Sequence, residues 1–136
     1  MIPSAIKQYS QVAARTSVEE ADPHRVVQLL MEGVLDRVAQ AKGYIERGEL
    51  AQRSEPIARA VAILAELRRS LDHEVGGELA GNLEALYDYM GRRLLESNLK
   101  NDTGLLDEVM GLMREIKSGW DAIPQEFRRP QGLRGV

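Results

Sequence analysis

Residues 70–102 read SLDHEVGGELAGNLEALYDYMGRRLLESNLKND, and the fold is decided in this stretch. After the Gly76-Gly77 pair, Leu79, Leu83, Leu86, Met90 and Leu94 recur at steps of three and four, which draws one apolar stripe along a helix of 3.6 residues per turn. The two-residue alternation of a strand is missing here and in the rest of the chain. A helix with a single apolar stripe is stable only when other apolar faces cover it, so the flanking sequence must supply them.

It does so on both sides. Asn101, Asp102, Thr103 and Gly104 read as a turn. A further stripe then runs through Leu106, Val109, Met113, Ile116 and Trp120 until Pro124, whose ring and missing N–H forbid continuation. Upstream, Ile57, Val61, Leu64 and Leu71 form a stripe with Ala60 and Leu67 at its edge. Its start has two readings: a first turn holding Pro56 and capped by Ser54, or an earlier turn over 49–53 at the cost of a kink. The first long segment places Val27, Leu30, Val34, Val38, Ala41 and Ile45 on one face. Asp22-Pro23 is its start signal and Gly48 its stop. Four amphipathic helices of about 18 to 25 residues joined by short connections predict an all-α, antiparallel up-down-up-down four-helix bundle over residues 22–123.

Two terminal pieces stand apart from the bundle. Residues 1–21 hold Pro3 near a helix start and apolar Ile2, Ile6, Tyr9 and Ala13, a short amphipathic segment that reads either as a strap completing the core or as a detachable lid over a groove. Residues 124–136, PQEFRRPQGLRGV, carry three Arg against one Glu and read as a frayed, mildly basic tail.

Composition removes several classes of function. With 136 residues and 43% apolar content, a single domain can bury about two-thirds of its surface without staples. The absence of Cys excludes disulfide scaffolds, thiol catalysis and Cys-based metal centres. A net charge of -3 argues against nucleic acid as the main partner. The longest apolar run, residues 60–65, is far short of the roughly 20 residues that span a bilayer, so no stable membrane insertion is expected and the cytoplasm is the expected compartment. Di-iron chemistry needs Glu-x-x-His, but Ala21 and Ser70 stand three residues before His24 and His73. Those two histidines read as solvated or capping residues. No phosphate-cradling loop or nucleophile elbow is present, so neither a catalytic residue nor a metal or other cofactor is expected.

What remains is apolar surface off the stripes. Leu29 falls nearly opposite the stripe of the first helix, and Leu95 and Leu99, an i, i+4 pair, fall well away from that of the third. Gly81 and Gly111 sit on outward faces, where each either lets another helix approach closely or is simply tolerated. Asn82, Tyr89 and Arg93 share one shoulder of the third helix and Tyr87 takes the other.

The opening stretch, the following LLDEVMGLMREIKSGWDAI and the upstream ADPHRVVQLLMEGVLDRVAQAKGYI together resemble the flagellar export chaperones of the FliS family over most of residues 5–123. The combination of SLDxExGGEL, NLxxLYDYMxRRL and IKxxWDAI carries the resemblance. One departure is Met31-Glu32-Gly33, where many members have Tyr-Asp-Gly. The resemblance implies a cytosolic, non-enzymatic helical bundle that binds the C-terminal segment of flagellin one to one, prevents its polymerisation and helps deliver it to the export gate protein FlhA. It also implies an N-terminal segment able to cover part of the client surface, which favours the lid reading of Ile6 and Tyr9. The expected partner-facing residues are then Ile6, Tyr9, Leu29, Asn82, Tyr89, Leu95 and Leu99. The alternative from another class, a metal- or small-molecule-dependent bundle enzyme, requires a buried polar cluster on the inner stripes, and the stripe positions named above hold no Asp, Glu or His.

Overall fold

The computed structural model describes residues 22–128. Among them are four α-helices and no strand: α1 (Pro23–Glu46), α2 (Ser54–Arg69), α3 (His73–Lys100) and α4 (Thr103–Asp121), with 3-10 turns at Leu50–Gln52 and Gln125–Phe127. The Asp22 side chain accepts from the Arg25 N–H with Pro23 in the first turn, and Gly48 at φ +75° ends the helical run, as the sequence predicts. The start of α2 combines both readings. The 3-10 turn precedes Pro56 in the first α-helical turn, while the Ser54 hydroxyl donates across to Asn98 Oδ1 (3.1 Å) rather than capping.

Each helix packs on its sequence neighbour, and α1 closes the ring against α4. Contacts between opposite ends make the neighbours antiparallel. Lys42 near the end of α1 meets Asp107 at the start of α4 (2.8 Å), and His24 at the start of α1 meets Trp120 at the end of α4. The Arg53 guanidinium donates to the Asn98 carbonyl at the far end of α3 (3.0 Å), and Arg68 reaches Glu84 (3.7 Å). The turn from α3 to α4 is tight because Asn101 adopts φ +53° and the buried Ser97 hydroxyl donates to the Asp102 carbonyl (2.9 Å).

The core runs through all four helices. Met31, Leu64, Leu67, Met90, Leu94, Leu106 and Met113 are each at most 2% exposed. Every such side chain contributes about 1.5–3 kcal/mol through burial.

Several sequence expectations change. The buried positions of α3 include Ala80, Tyr87, Met90, Leu94 and Ser97 instead of the stripe through Leu79 and Leu86; Leu79 is 52% exposed. Tyr87, expected on a shoulder, is buried, and burial pushes its phenol pKa up to about 12. The reason is that α3 serves α2 on one flank and α4 on the other, which sets the direction of its buried arc. Gly76-Gly77 does interrupt the helix, but α2 has already ended at Arg69 and a short helical piece precedes the break. The helical run begins at His73 and bends at Gly77, whose φ of +51° and ψ of -124° only glycine takes readily. His24, read as solvated or capping, is 1% exposed and takes the capping role, donating from Nε2 to the Trp120 carbonyl in the last turn of α4 (2.7 Å). The tail, finally, begins with order: Arg128 donates from Nε to the Ile123 carbonyl (2.7 Å) and from Nη2 to that of Asp121 (3.0 Å), covering the free carbonyls at the end of α4.

Candidate partner-binding surface

Among the described residues, the expected partner-facing residues do not form one patch. Ile6 and Tyr9 lie outside the described residues. Leu29 is buried at 8% exposure, although it is not part of the main core cluster. Asn82 is exposed, and Tyr89, seven residues on and therefore on the same flank of α3, is half-buried towards α4. Leu95 and Leu99 are 52% and 84% exposed on the flank towards α2.

The α4-facing flank is polar and already engaged. The Tyr89 hydroxyl donates to Glu108 Oε2 (2.6 Å), and Arg93 Nε donates to Glu108 Oε1 (2.9 Å). Arg93 also bonds Glu96 (2.8 Å), which in turn accepts from Lys100 (2.7 Å). The Tyr89 hydrogen bond, followed by Arg93, holds the Glu108 carboxyl below its ordinary pKa, and the same carboxylate raises the Tyr89 phenol. The Arg93 guanidinium also lies 5.5 Å from the centre of the Tyr89 ring. This network ties α3 to α4 and leaves Tyr89 half-buried, with Asn82 exposed on the same flank.

The α2-facing flank has another character. Val61, Ala65, Gly91 and Leu95 line a groove of about 160 Å³ between α2 and α3, with Arg68, Asp88 and Arg92 among its other lining residues. Leu99, 84% exposed, stands one helical turn beyond Leu95 on the same side of α3. A Cβ built on Gly91 meets nothing within 4 Å, so the surface beside the helix backbone is open. A larger depression of about 710 Å³ lies between α1 and α4, but its Lys117 is already held by Asp121 (2.7 Å) and Glu32 (3.6 Å). The α2–α3 groove also carries paired charges at Arg68, Asp88 and Arg92, but Val61, Leu64, Tyr87 and Leu95 make more of its lining apolar.

Gly81 and Gly111 are exposed, and a Cβ added at either would meet nothing within 4 Å. Alanine at each position is therefore expected to stabilise the free protein by about 0.5–1 kcal/mol, read as a rise in the midpoint of urea unfolding. No change or a loss would mean that these backbone positions carry strain invisible in the contacts.

The motif resemblance and this architecture agree with the comparison to known proteins. A family model described as flagellar protein FliS matches residues 5–126. The chain belongs to the FliS family. It is 54% identical over 119 residues to the flagellar secretion chaperone FliSB of Pseudomonas aeruginosa, covering 88% of this chain and 94% of the relative. It is 40% identical over 121 residues to the flagellar secretion chaperone FliS of Salmonella typhimurium, with 88% and 90% covered, and 38% identical over 123 residues to that of Vibrio cholerae, with 90% of each covered. FliS proteins are named as chaperones and are not enzymes, and a flagellar chaperone implies a protein client. Among the described residues no helix is long and apolar enough to cross a membrane, and no group of three or more His, Cys, Asp or Glu is placed to hold a metal ion.

Sequence reasoning missed one pair in this FliS chain. His24 Nε2–H donates to the Trp120 carbonyl (2.7 Å), Trp120 Nε1–H donates back to the His24 carbonyl (3.0 Å), and the two rings stack with centroids 4.9 Å apart and planes 8° from parallel. The spacing held a signal. Positions 24, 27, 31, 34, 38 and 41 step by three and four, which places His24 and Met31 on the stripe with Val34, Val38 and Ala41.

Proposed function

We propose that the chain is a stoichiometric export chaperone that binds the C-terminal segment of flagellin in the cytoplasm, prevents its premature polymerisation and assists its delivery to the export gate protein FlhA. The observation that carries this reading is the pair of exposed leucines, Leu95 and Leu99, along the α2–α3 groove of a FliS-family bundle. An amphipathic segment, disordered while unpolymerised, buries its apolar face by folding into such a groove and is thereby kept from self-association. The ordering costs about 2–5 kcal/mol of the gross interaction, which a preformed groove leaves entirely to the client side. Tyr89 and Asn82 serve as a second contact on the α4-facing flank. No nucleotide is needed; release follows from engagement of the client by the export machinery.

Isothermal titration with a peptide of the C-terminal segment of flagellin from the same organism tests the reading. One-to-one binding supports it, whereas a folded chain that gives neither heat nor a mobility shift sinks it.

Residues 1–21, with Ile6 and Tyr9, act in this reading as a lid that covers client surface until flagellin arrives. Deleting residues 1–13 is then expected to preserve or tighten peptide affinity and to increase binding of a hydrophobic dye. A deletion that lowers both the melting temperature and the affinity would assign the segment to the core as a strap.

A further inference from the structure

At the end of the bundle remote from Leu95 and Leu99, two further apolar side chains are uncovered. Val75 and Leu79 are 67% and 52% exposed on either side of the bend at Gly77, in the first two turns of α3. Leu79 lies on the apolar stripe by periodicity, yet Ala80 takes the inward position in its place.

Along this part of α3 the helix's own charges are all acidic. Between Arg69 and Arg92 the sequence holds no Lys or Arg but five carboxylates, Asp72, Glu74, Glu78, Glu84 and Asp88. Arg68 reaches Glu84 and Asp88 from α2 (3.7 Å each), and His73 also faces Glu84 (3.5 Å). The Asp72 side chain is used as the cap of α3, accepting from the N–H groups of Glu74 and Val75 (3.1 Å each). Glu74 and Glu78, which flank Val75 and Leu79 in sequence, are exposed and enter no ion pair among the described residues. Apolar side chains rimmed by unneutralised carboxylates are complementary to a helix with leucine-like residues on one face and Lys or Arg beside them.

We propose that the first two turns of α3 are a second docking surface, made by Val75 and Leu79 with Glu74 and Glu78 at the rim, for a basic amphipathic helix of a partner protein. Leu79 and Leu95 are sixteen positions apart on one helix, about 24 Å at 1.5 Å per residue. That separation lets a client in the α2–α3 groove and a partner on this face bind together. The proposal goes beyond the flagellin reading and does not depend on it.

The test uses the full chain and a synthetic amphipathic helix composed only of leucine and lysine, followed by titration calorimetry and by amide exchange to locate the bound peptide. Binding is expected to weaken as salt rises, to protect amides within residues 73–80, and to fall at least about tenfold in a Val75→Ser/Leu79→Ser double variant. A Glu74→Gln/Glu78→Gln variant is expected to lose most of the salt dependence. A Leu95→Asp/Leu99→Asp variant and a chain saturated with flagellin peptide should both bind the probe as the free chain does. Equal binding by the Val75/Leu79 variant, protection elsewhere, or displacement of the probe by flagellin peptide would overturn the proposal. Absence of flagellin binding, measured in its own titration, would overturn the client reading alone.

Discussion

A Trp120→Ala variant loses about 3–5 kcal/mol of folding stability, the cost of removing a large side chain from a core. Trp120 is 6% exposed, belongs to the core cluster, stacks on His24 and donates to its carbonyl. It thereby closes the helical ring at the end where α1 begins and α4 stops. Against a total of about 5–15 kcal/mol for a domain, such a loss is large, and it is measured as a fall in the urea midpoint followed by circular dichroism. His24→Ala is expected to cost less, about 1–3 kcal/mol, because it leaves the Trp120 carbonyl without its donor and removes the stacking partner. His24→Phe restores apolar area without the hydrogen bond and should fall between the parent and His24→Ala. In a double-mutant cycle the two sites should show a coupling above about 0.5 kcal/mol. A Trp120→Ala loss under about 1 kcal/mol would mean that the ring closes without this pair.

Leu95→Asp with Leu99→Asp has its large effect on the client instead. Both side chains are more than half exposed, so the double variant is expected to lose about 1 kcal/mol or less of stability, chiefly through helix propensity. Its affinity for the flagellin C-terminal peptide should fall at least about tenfold, because two apolar anchors along the groove become charges that must be desolvated. Leu95→Ala and Leu99→Ala separate lost contact from added charge: each should weaken binding by a smaller factor while leaving the melting temperature close to that of the parent. Unchanged affinity in the double variant would move the client away from the α2–α3 groove. The Tyr89 flank would then be the remaining surface, and Tyr89→Phe, which also breaks the bond to Glu108, the next variant to titrate.

The two effects divide the molecule by physical role. Trp120 and His24 are inward groups whose worth lies in packing and in satisfying one another's backbone carbonyls. Leu95 and Leu99 contribute little to the free fold, and their value waits for a partner. The Tyr89–Glu108–Arg93 network belongs between these cases, since it joins α3 to α4 while keeping part of the tyrosine at the surface.

Much of this was legible in the sequence because the signals are local. Asp22-Pro23, Asp102 and Pro124 mark helix ends through the hydrogen-bonding and steric limits of single residues, and stripes at steps of three and four require helices with one buried face. Four such helices with short connections leave an antiparallel bundle as the economical arrangement. The motifs of α3 and α4 carried the family, which the match over residues 5–126 bears out. The apolar excess at Leu95 and Leu99 was readable too, since an i, i+4 pair well off the stripe has nowhere to go inside a helix of fixed pitch.

What the sequence could not settle is which edge residues turn inward, because that depends on where neighbouring helices sit. Leu79 and Ala80 are adjacent, and periodicity prefers the leucine, yet packing buries the alanine. Tyr87 is buried where a shoulder position was expected, His24, expected solvated or capping, caps the end of α4 from inside the core, and Leu29 is buried although it points away from its own stripe. The sequence by itself determined the helices, their order and the family; only the tertiary structure decided that Tyr89 faces α4 while Leu95 faces α2. The physical reason is that a helix's pitch is a property of its own backbone, whereas the direction and width of its buried arc are set by the helices packed on either side.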